Sequence, residues 1–175
     1  MKRNNWYVIT GGPHAGKTTL VRLLGERGHN VVFEAARVYI DQQMKRGKTL
    51  QEIRKDEMEF QRKILKIKIA NEKKVSPQKI TFWDRGIADS VAYYELQGVR
   101  DDNFLKQAVK NSAYKKVFLL KPLPYKKDYA RTESQQEQKK IHSLLRKAYR
   151  EQGCEIVEIT STNKERRLKT VLANL

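Results

Sequence analysis

Short apolar runs alternate along the chain with longer stretches in which apolar residues recur at helical spacing. Five runs are β-branched or aromatic: Trp6-Tyr7-Val8-Ile9-Thr10, Val31-Val32-Phe33, Ile80-Thr81-Phe82-Trp83, Lys116-Val117-Phe118-Leu119-Leu120 and Glu155-Ile156-Val157-Glu158-Ile159. Each stops at a polar residue or a glycine, so each reads as a strand. Between them lie helical patterns over 18–26, 34–44, 101–111 and 135–152, and one starting at Ile87. The longest predicted helix runs from Thr49 to about Lys74. It opens on the capping-box sequence Thr49-Leu50-Gln51-Glu52 and carries Ile53, Met58, Phe60, Ile64, Leu65, Ile67 and Ile69 near a 3.6-residue period. Ser76-Pro77 ends it. A last helix follows Ser161-Thr162-Asn163, with Thr162 or Asn163 as its cap. Strands separated by helices predict a parallel sheet covered on both faces, and the nearly unbroken apolar strands fit burial on both sides. The expected fold is α/β, three-layered, with five parallel strands. With no repeat and no low-complexity linker, 1–175 reads as a single domain.

Composition narrows the class of partner. The 175 residues carry 37 Lys and Arg against 20 Asp and Glu, a net charge of +17, so anionic partners are expected. Cys154 is the only cysteine. It excludes an internal disulfide framework and a cysteine-based zinc site, fits a reducing compartment, and reads first as a small buried apolar residue. No apolar run approaches the roughly 18 residues of a membrane span. Met1-Lys2-Arg3 has the charge of a signal-peptide start, but only Trp6 to Ile9 follow as an apolar stretch. A soluble, cytoplasmic protein is the expectation; the oligomeric state is not legible.

Residues 11–18 give the chemistry. Gly11-Gly12-Pro13-His14-Ala15-Gly16-Lys17-Thr18 satisfies Gly-x-x-x-x-Gly-Lys-[Ser/Thr] and sits between a predicted strand and a predicted helix. Gly11 and Gly16 let the backbone curl until successive N–H groups point into one concavity. The helix that follows adds its positive end. Lys17 supplies a movable charge for β- and γ-phosphates, and Thr18 a hydroxyl for Mg²⁺. Gly11 to Thr19, including Gly12, Pro13, His14 and Ala15, are the candidate nucleotide-binding residues. His14 reads as a loop residue facing solvent rather than as a catalyst.

A phosphate loop needs an acid for Mg²⁺ on a neighbouring strand. Asp84 ends the third strand, at the edge where parallel sheets bind ligands; a plain helix cap is the competing reading. Arg85, next to it, is placed to reach a phosphate. Glu34 ends the second strand in the same way, though the helix dipole alone could favour an acid there. Arg37, one turn on, could pair with Glu34 or bind a substrate anion. The Pro-bounded basic segment 121–133 joins the fourth strand to a helix at the same edge, the place for a lid. Arg131 is its candidate for bridging phosphate oxygens.

This order of elements — Gly-Gly-Pro-His-Ala-Gly-Lys-Thr-Thr, Glu34-Ala35-Ala36-Arg37, Asp84-Arg85-Gly86, Leu119 to Tyr125, then Asp128, Arg131 and Glu133 — resembles a P-loop family of ATPases and kinases. That family includes the nicotinamide-riboside kinase domain of the bacterial NAD regulator. The resemblance spans Trp6 to about Leu172. It implies a nucleoside- or nucleotide-kinase-like fold with sheet order 2-3-1-4-5. It also implies ATP or GTP with Mg²⁺, and an arginine-bearing lid at Arg131. In related small-molecule kinases the acid after strand two serves the acceptor hydroxyl as base, which maps to Glu34. The acid after strand three handles Mg²⁺, which maps to Asp84.

The leading expectation is therefore transfer of the γ-phosphoryl group from ATP or GTP to a nucleoside-, nucleotide- or cofactor-precursor-like acceptor. Lys17, Glu34, Asp84, Arg85 and Arg131 would do the work. The acceptor pocket is expected between the helix after Glu34, the helix ending near Lys74 and the helix from Ile87 to Tyr94, with Tyr93 or Tyr94 beside it or in the core. A regulatory module that binds or slowly hydrolyses NTP is the alternative. A nucleic-acid surface is a third reading, because residues 45–79 hold twelve Lys or Arg against five Asp or Glu. No nucleic-acid signature accompanies that charge, and a solvated helix face explains it.

Overall fold

A computed structural model of the chain describes residues 4–123 and 135–175. Five strands form one sheet: β1 (Trp6–Thr10), β2 (Asn30–Val32), β3 (Thr81–Asp84), β4 (Lys116–Leu120) and β5 (Ile156–Ile159). Their order is β2-β3-β1-β4-β5, and every pair is parallel. The helices of the described residues are α1 (Lys17–Glu26), α2 (Ala35–Lys45), α3 (Leu50–Ile53), α4 (Glu57–Lys73), α5 (Asp89–Leu96), α6 (Asn103–Asn111), α7 (Gln135–Glu151) and α8 (Lys164–Leu172). None of them is long and apolar enough to cross a membrane.

β1 lies at the centre, and all five of its residues are buried. Its side chains alternate between two cores, as the period of two requires. Tyr7 and Ile9 pack with Leu20, Val21 and Leu24 of α1 and with Leu168 and Val171 of α8. Trp6 and Val8 face the other way, against Trp83, Tyr114 and Tyr149. The two faces thus fix α1 and α8 on one side of the sheet and α7 on the other. The register sets Ile9 opposite Asp84 and Val32 opposite Trp83. Gly11, Glu34 and Asp84 consequently emerge at the same carboxyl edge.

The expected helix over 49–74 is two helices. The capping box is present: Thr49 Oγ1 accepts from the Glu52 N–H at 3.2 Å, and the Glu52 carboxylate accepts from the Thr49 N–H at 2.7 Å. It caps only the four residues of α3. A second cap follows at Asp56, whose carboxylate accepts from the Glu59 N–H at 2.8 Å and starts α4. The break is braced by Arg54, which forks onto Glu57 at 2.8 and 2.9 Å. β2 also begins and ends one residue earlier than expected, leaving Phe33 outside the strand and exposed.

Candidate functional site

The phosphate-loop sequence links β1 to α1, and its backbone can be built only with glycine at two places. Gly16 sits at φ 77° just before α1, a left-handed conformation that costs other residues. An added Cβ at Gly11 would lie 2.6 Å from the Leu120 carbonyl oxygen. His14, inside the loop, also has a positive φ of 57° and is half-buried rather than fully facing solvent. Thr19 is exposed. Lys17 opens α1 and is buried, with Nζ donating to the Gly12 carbonyl at 2.9 Å. Gln138 of α7 donates to the Pro13 carbonyl from the far side.

Thr18 Oγ1 donates to Asp84 Oδ2 at 2.6 Å. Asp84 Oδ1 is buried and has no hydrogen-bond partner among the described residues. Burial, and then the charge of Glu34, raise the Asp84 pKa to about 6 against the pull of Lys17, Thr18 and Arg85. A buried carboxylate oxygen without a partner, beside a hydroxyl, is a fit for a hard cation such as Mg²⁺. Two protein ligands are enough for an ion that takes its remaining oxygens from phosphates and water.

Arg85 lies at the centre of the site. It is 5% exposed and holds a left-handed φ of 71°, which a non-glycine residue adopts only when its surroundings impose it. Its Nε is 3.1 Å from Glu34 Oε1, and its Nη1 is 3.0 Å from Asp89 Oδ1 and 3.3 Å from the Gly11 carbonyl. One guanidinium thus joins the ends of β1, β2 and β3. Its carbon also sits 5.3 Å from the centre of the Tyr93 ring, in cation–π range.

A cleft opens between α2, α4 and α5, in the region where the sequence placed the acceptor. It is lined by Pro13, Glu34, Arg37, Phe60, Lys68 and Arg85, among others, and by Tyr93. Tyr94 is fully buried in the core instead. The cleft is narrow, with a cavity volume of about 50 Å³. Lys17, Thr18, Glu34, Arg37, Asp84 and Arg85 therefore share one edge of the sheet. Arg131 lies outside the described residues.

A family model described as an AAA domain matches residues 6–167, nearly the whole chain. The chain belongs to this AAA domain family. No curated protein matches it by sequence. Among solved structures, this AAA domain is similar to a NadR protein in complex with NR, with a TM-score of 0.73 and 16% identity. The match covers 96% of this chain but 49% of that one, so this chain spans about half the NadR length. It is also similar to thymidylate kinase from Candida albicans, with a TM-score of 0.71, 13% identity and coverage of 98% and 91%. A third neighbour is deoxyadenosine kinase from M. mycoides, at 0.68, 12% identity and 97% of both chains. At these identities the likeness is one of fold, and the sheet order matches the one the sequence resemblance implies.

Three residues of this AAA domain site went unnoticed in the sequence. Asp89 is fully buried and accepts from Arg85, from Thr10 Oγ1 at 2.7 Å, from the Gly86 N–H at 2.9 Å and from the Tyr149 hydroxyl. Burial opposes its ionisation, but Arg85, Lys68 and the hydrogen bonds from Tyr149 and Thr10 hold its pKa below the ordinary value. Its spacing, four residues after Arg85 at a helix start, was the available signal. Lys68 of α4 is buried, with Nζ donating to the Gly86 carbonyl at 2.9 Å and to Ser90 Oγ at 3.1 Å. Arg167 of α8 donates to the carbonyls of Ser161 at 2.6 Å, Lys121 at 3.0 Å and Ala15. Nothing in its sequence context singled it out.

Proposed function

We propose that this AAA domain is a small-molecule kinase. It would move the γ-phosphoryl group of ATP or GTP to a hydroxyl or phosphate of a nucleoside-, nucleotide- or cofactor-precursor-like acceptor. The observation that supports this best is the cleft between α2, α4 and α5. A plain NTPase needs a nucleotide site and water, whereas here a separate pocket adjoins the phosphate loop through Pro13, Glu34 and Arg85. The neighbours fit the same reading. NadR is described with NAD and AMP-PNP, and deoxyadenosine kinase with dATP.

In this reading the phosphate-loop residues Gly11 to Thr19 hold the donor's phosphates. Lys17 exchanges the Gly12 carbonyl for β- and γ-phosphate oxygens. Thr18 and Asp84 hold Mg²⁺, directly or through water. The ion, when bound, neutralises charge on the phosphate oxygens. Arg85 faces both the phosphate loop and the acceptor cleft, so its charge acts where the phosphoryl group passes. Glu34 fixes Arg85 and orients the acceptor, accepting a proton where that acceptor is a hydroxyl. Arg37 contacts the acceptor, and Arg131 brings a further cation from the 121–133 segment.

The test is transfer of labelled γ-phosphate from ATP and GTP, with Mg²⁺, to a panel of nucleosides, nucleotides and cofactor precursors. Acceptor-dependent transfer is expected, and Lys17→Ala should reduce it by at least ~10²-fold. Slow hydrolysis indifferent to every acceptor would instead support the regulatory NTPase reading.

A further inference from the structure

The cleft beside the phosphate loop has an uncommon floor. Lys68 projects from α4 into the protein interior, and its residue is 8% exposed. An ammonium group has three protons to donate. Among the described residues two are used, on the Gly86 carbonyl and Ser90 Oγ. Neither partner is charged, and no carboxylate among the described residues lies within ion-pair distance of Nζ. Lys68 nevertheless lines the cleft together with Arg37, Arg54 and Arg85. Four cationic side chains thus line the pocket, of which Arg54 is held by Glu57 at 2.8 Å and Arg85 by the one lining acid, Glu34, at 3.1 Å.

A buried ammonium is costly unless something anionic meets it. Burial has already pulled the Lys68 pKa down to about 8, with Asp89 opposing that fall. A neutral sugar hydroxyl would do little to offset such a site. An incoming dianion would complete the third hydrogen bond with charge assistance.

We propose that the acceptor is a phosphomonoester, such as a nucleoside 5′-monophosphate, and that Lys68 binds its phosphate from the floor of the cleft. This rests on the kinase reading and narrows it. An oxygen of the acceptor phosphate attacks the γ-phosphorus of the donor. The bond from that phosphorus to the β–γ bridging oxygen breaks, and its electron pair leaves with the nucleoside diphosphate. The product is a phosphoanhydride. With the acceptor as its dianion no proton has to move, so Glu34 acts here by holding Arg85 rather than as a base.

The experiment compares nucleosides with their 5′-monophosphates as acceptors for labelled ATP and GTP. It uses the wild-type chain, Lys68→Met and Lys68→Arg. The expected result is transfer to a monophosphate, giving a diphosphate, and none to the matching nucleoside. Lys68→Met should raise the acceptor KM by about 10- to 100-fold with the KM for the donor unchanged, and Lys68→Arg should restore part of the loss. Transfer to nucleosides but not to monophosphates overturns the inference and leaves the kinase reading standing. An unchanged acceptor KM in Lys68→Met overturns the role of Lys68. Transfer to neither class overturns the inference, and the wider acceptor panel with cofactor precursors then decides the kinase reading separately. The wild-type comparison decides the acceptor class even if Lys68→Met does not fold.

Discussion

Asp84 sits in a site that suits a cation better than it suits the empty fold. Its pKa of about 6 lies above the ordinary 3.8, so the native state prefers the neutral acid. The stability this group contributes is therefore full below about pH 4 and lost as pH rises through about 6. Asp84→Asn should stabilise the ligand-free protein near pH 7 by on the order of 3 kcal/mol, seen as a higher melting temperature. Thermal melts should show that gain fading toward pH 4. The same variant should lose Mg²⁺-dependent nucleotide binding, which separates a metal role from a helix-cap role. Asp89 is the opposite case, since its pKa is held down by Arg85 and Lys68. Removing it leaves Arg85 buried with Glu34 as its one ion-pair partner among the described residues. Asp89→Ala should cost about 3–5 kcal/mol in denaturant unfolding, whereas a surface carboxylate such as Asp101 should cost almost nothing.

The elements of the fold were legible wherever burial acts on both faces. The strands announced themselves because a central parallel strand has no solvent side to vary. The break between α3 and α4 was hidden because apolar spacing continues across it, from Ile53 to Met58 and Phe60. What decides the break is a cap, Asp56 onto the Glu59 N–H, and not periodicity. Asp56→Ala should cost about 1 kcal/mol, read as a lower urea midpoint with an unchanged slope. Within the site, the phosphate loop, Glu34 and Asp84 could be read because each sits at a strand end. Lys68 could not, since it is one of twelve basic residues in 45–79. Its position four residues after Ile64, which turns it inward, was a faint signal among so many surface lysines. Gly16 tests the loop at the same scale. Its left-handed backbone and the 3.0 Å approach of Arg167 Nη1 to an added Cβ predict that Gly16→Ala weakens nucleotide binding by at least ~10-fold in a calorimetric titration.

At the scale of the molecule, the charge of +17 now divides into two parts. A few cations ring the cleft and phosphate loop, while many others ride on exposed helix faces. A field of this sign draws polyanions toward the sheet edge. Stopped-flow association of a fluorescent ATP analogue should therefore slow steadily as salt is raised, with dissociation changing less. Arg167 has a consequence at the same scale. Its guanidinium is shared by three stretches of backbone, at Ala15, Lys121 and Ser161, so the phosphate loop, the exit of β4 and the turn before α8 are stitched to one helix near the carboxyl end. Amide hydrogens of the loop and of α8 should then exchange as one cooperative unit. A truncation that removes α8 would erase nucleotide binding from a helix whose own sequence carries no sign of the nucleotide.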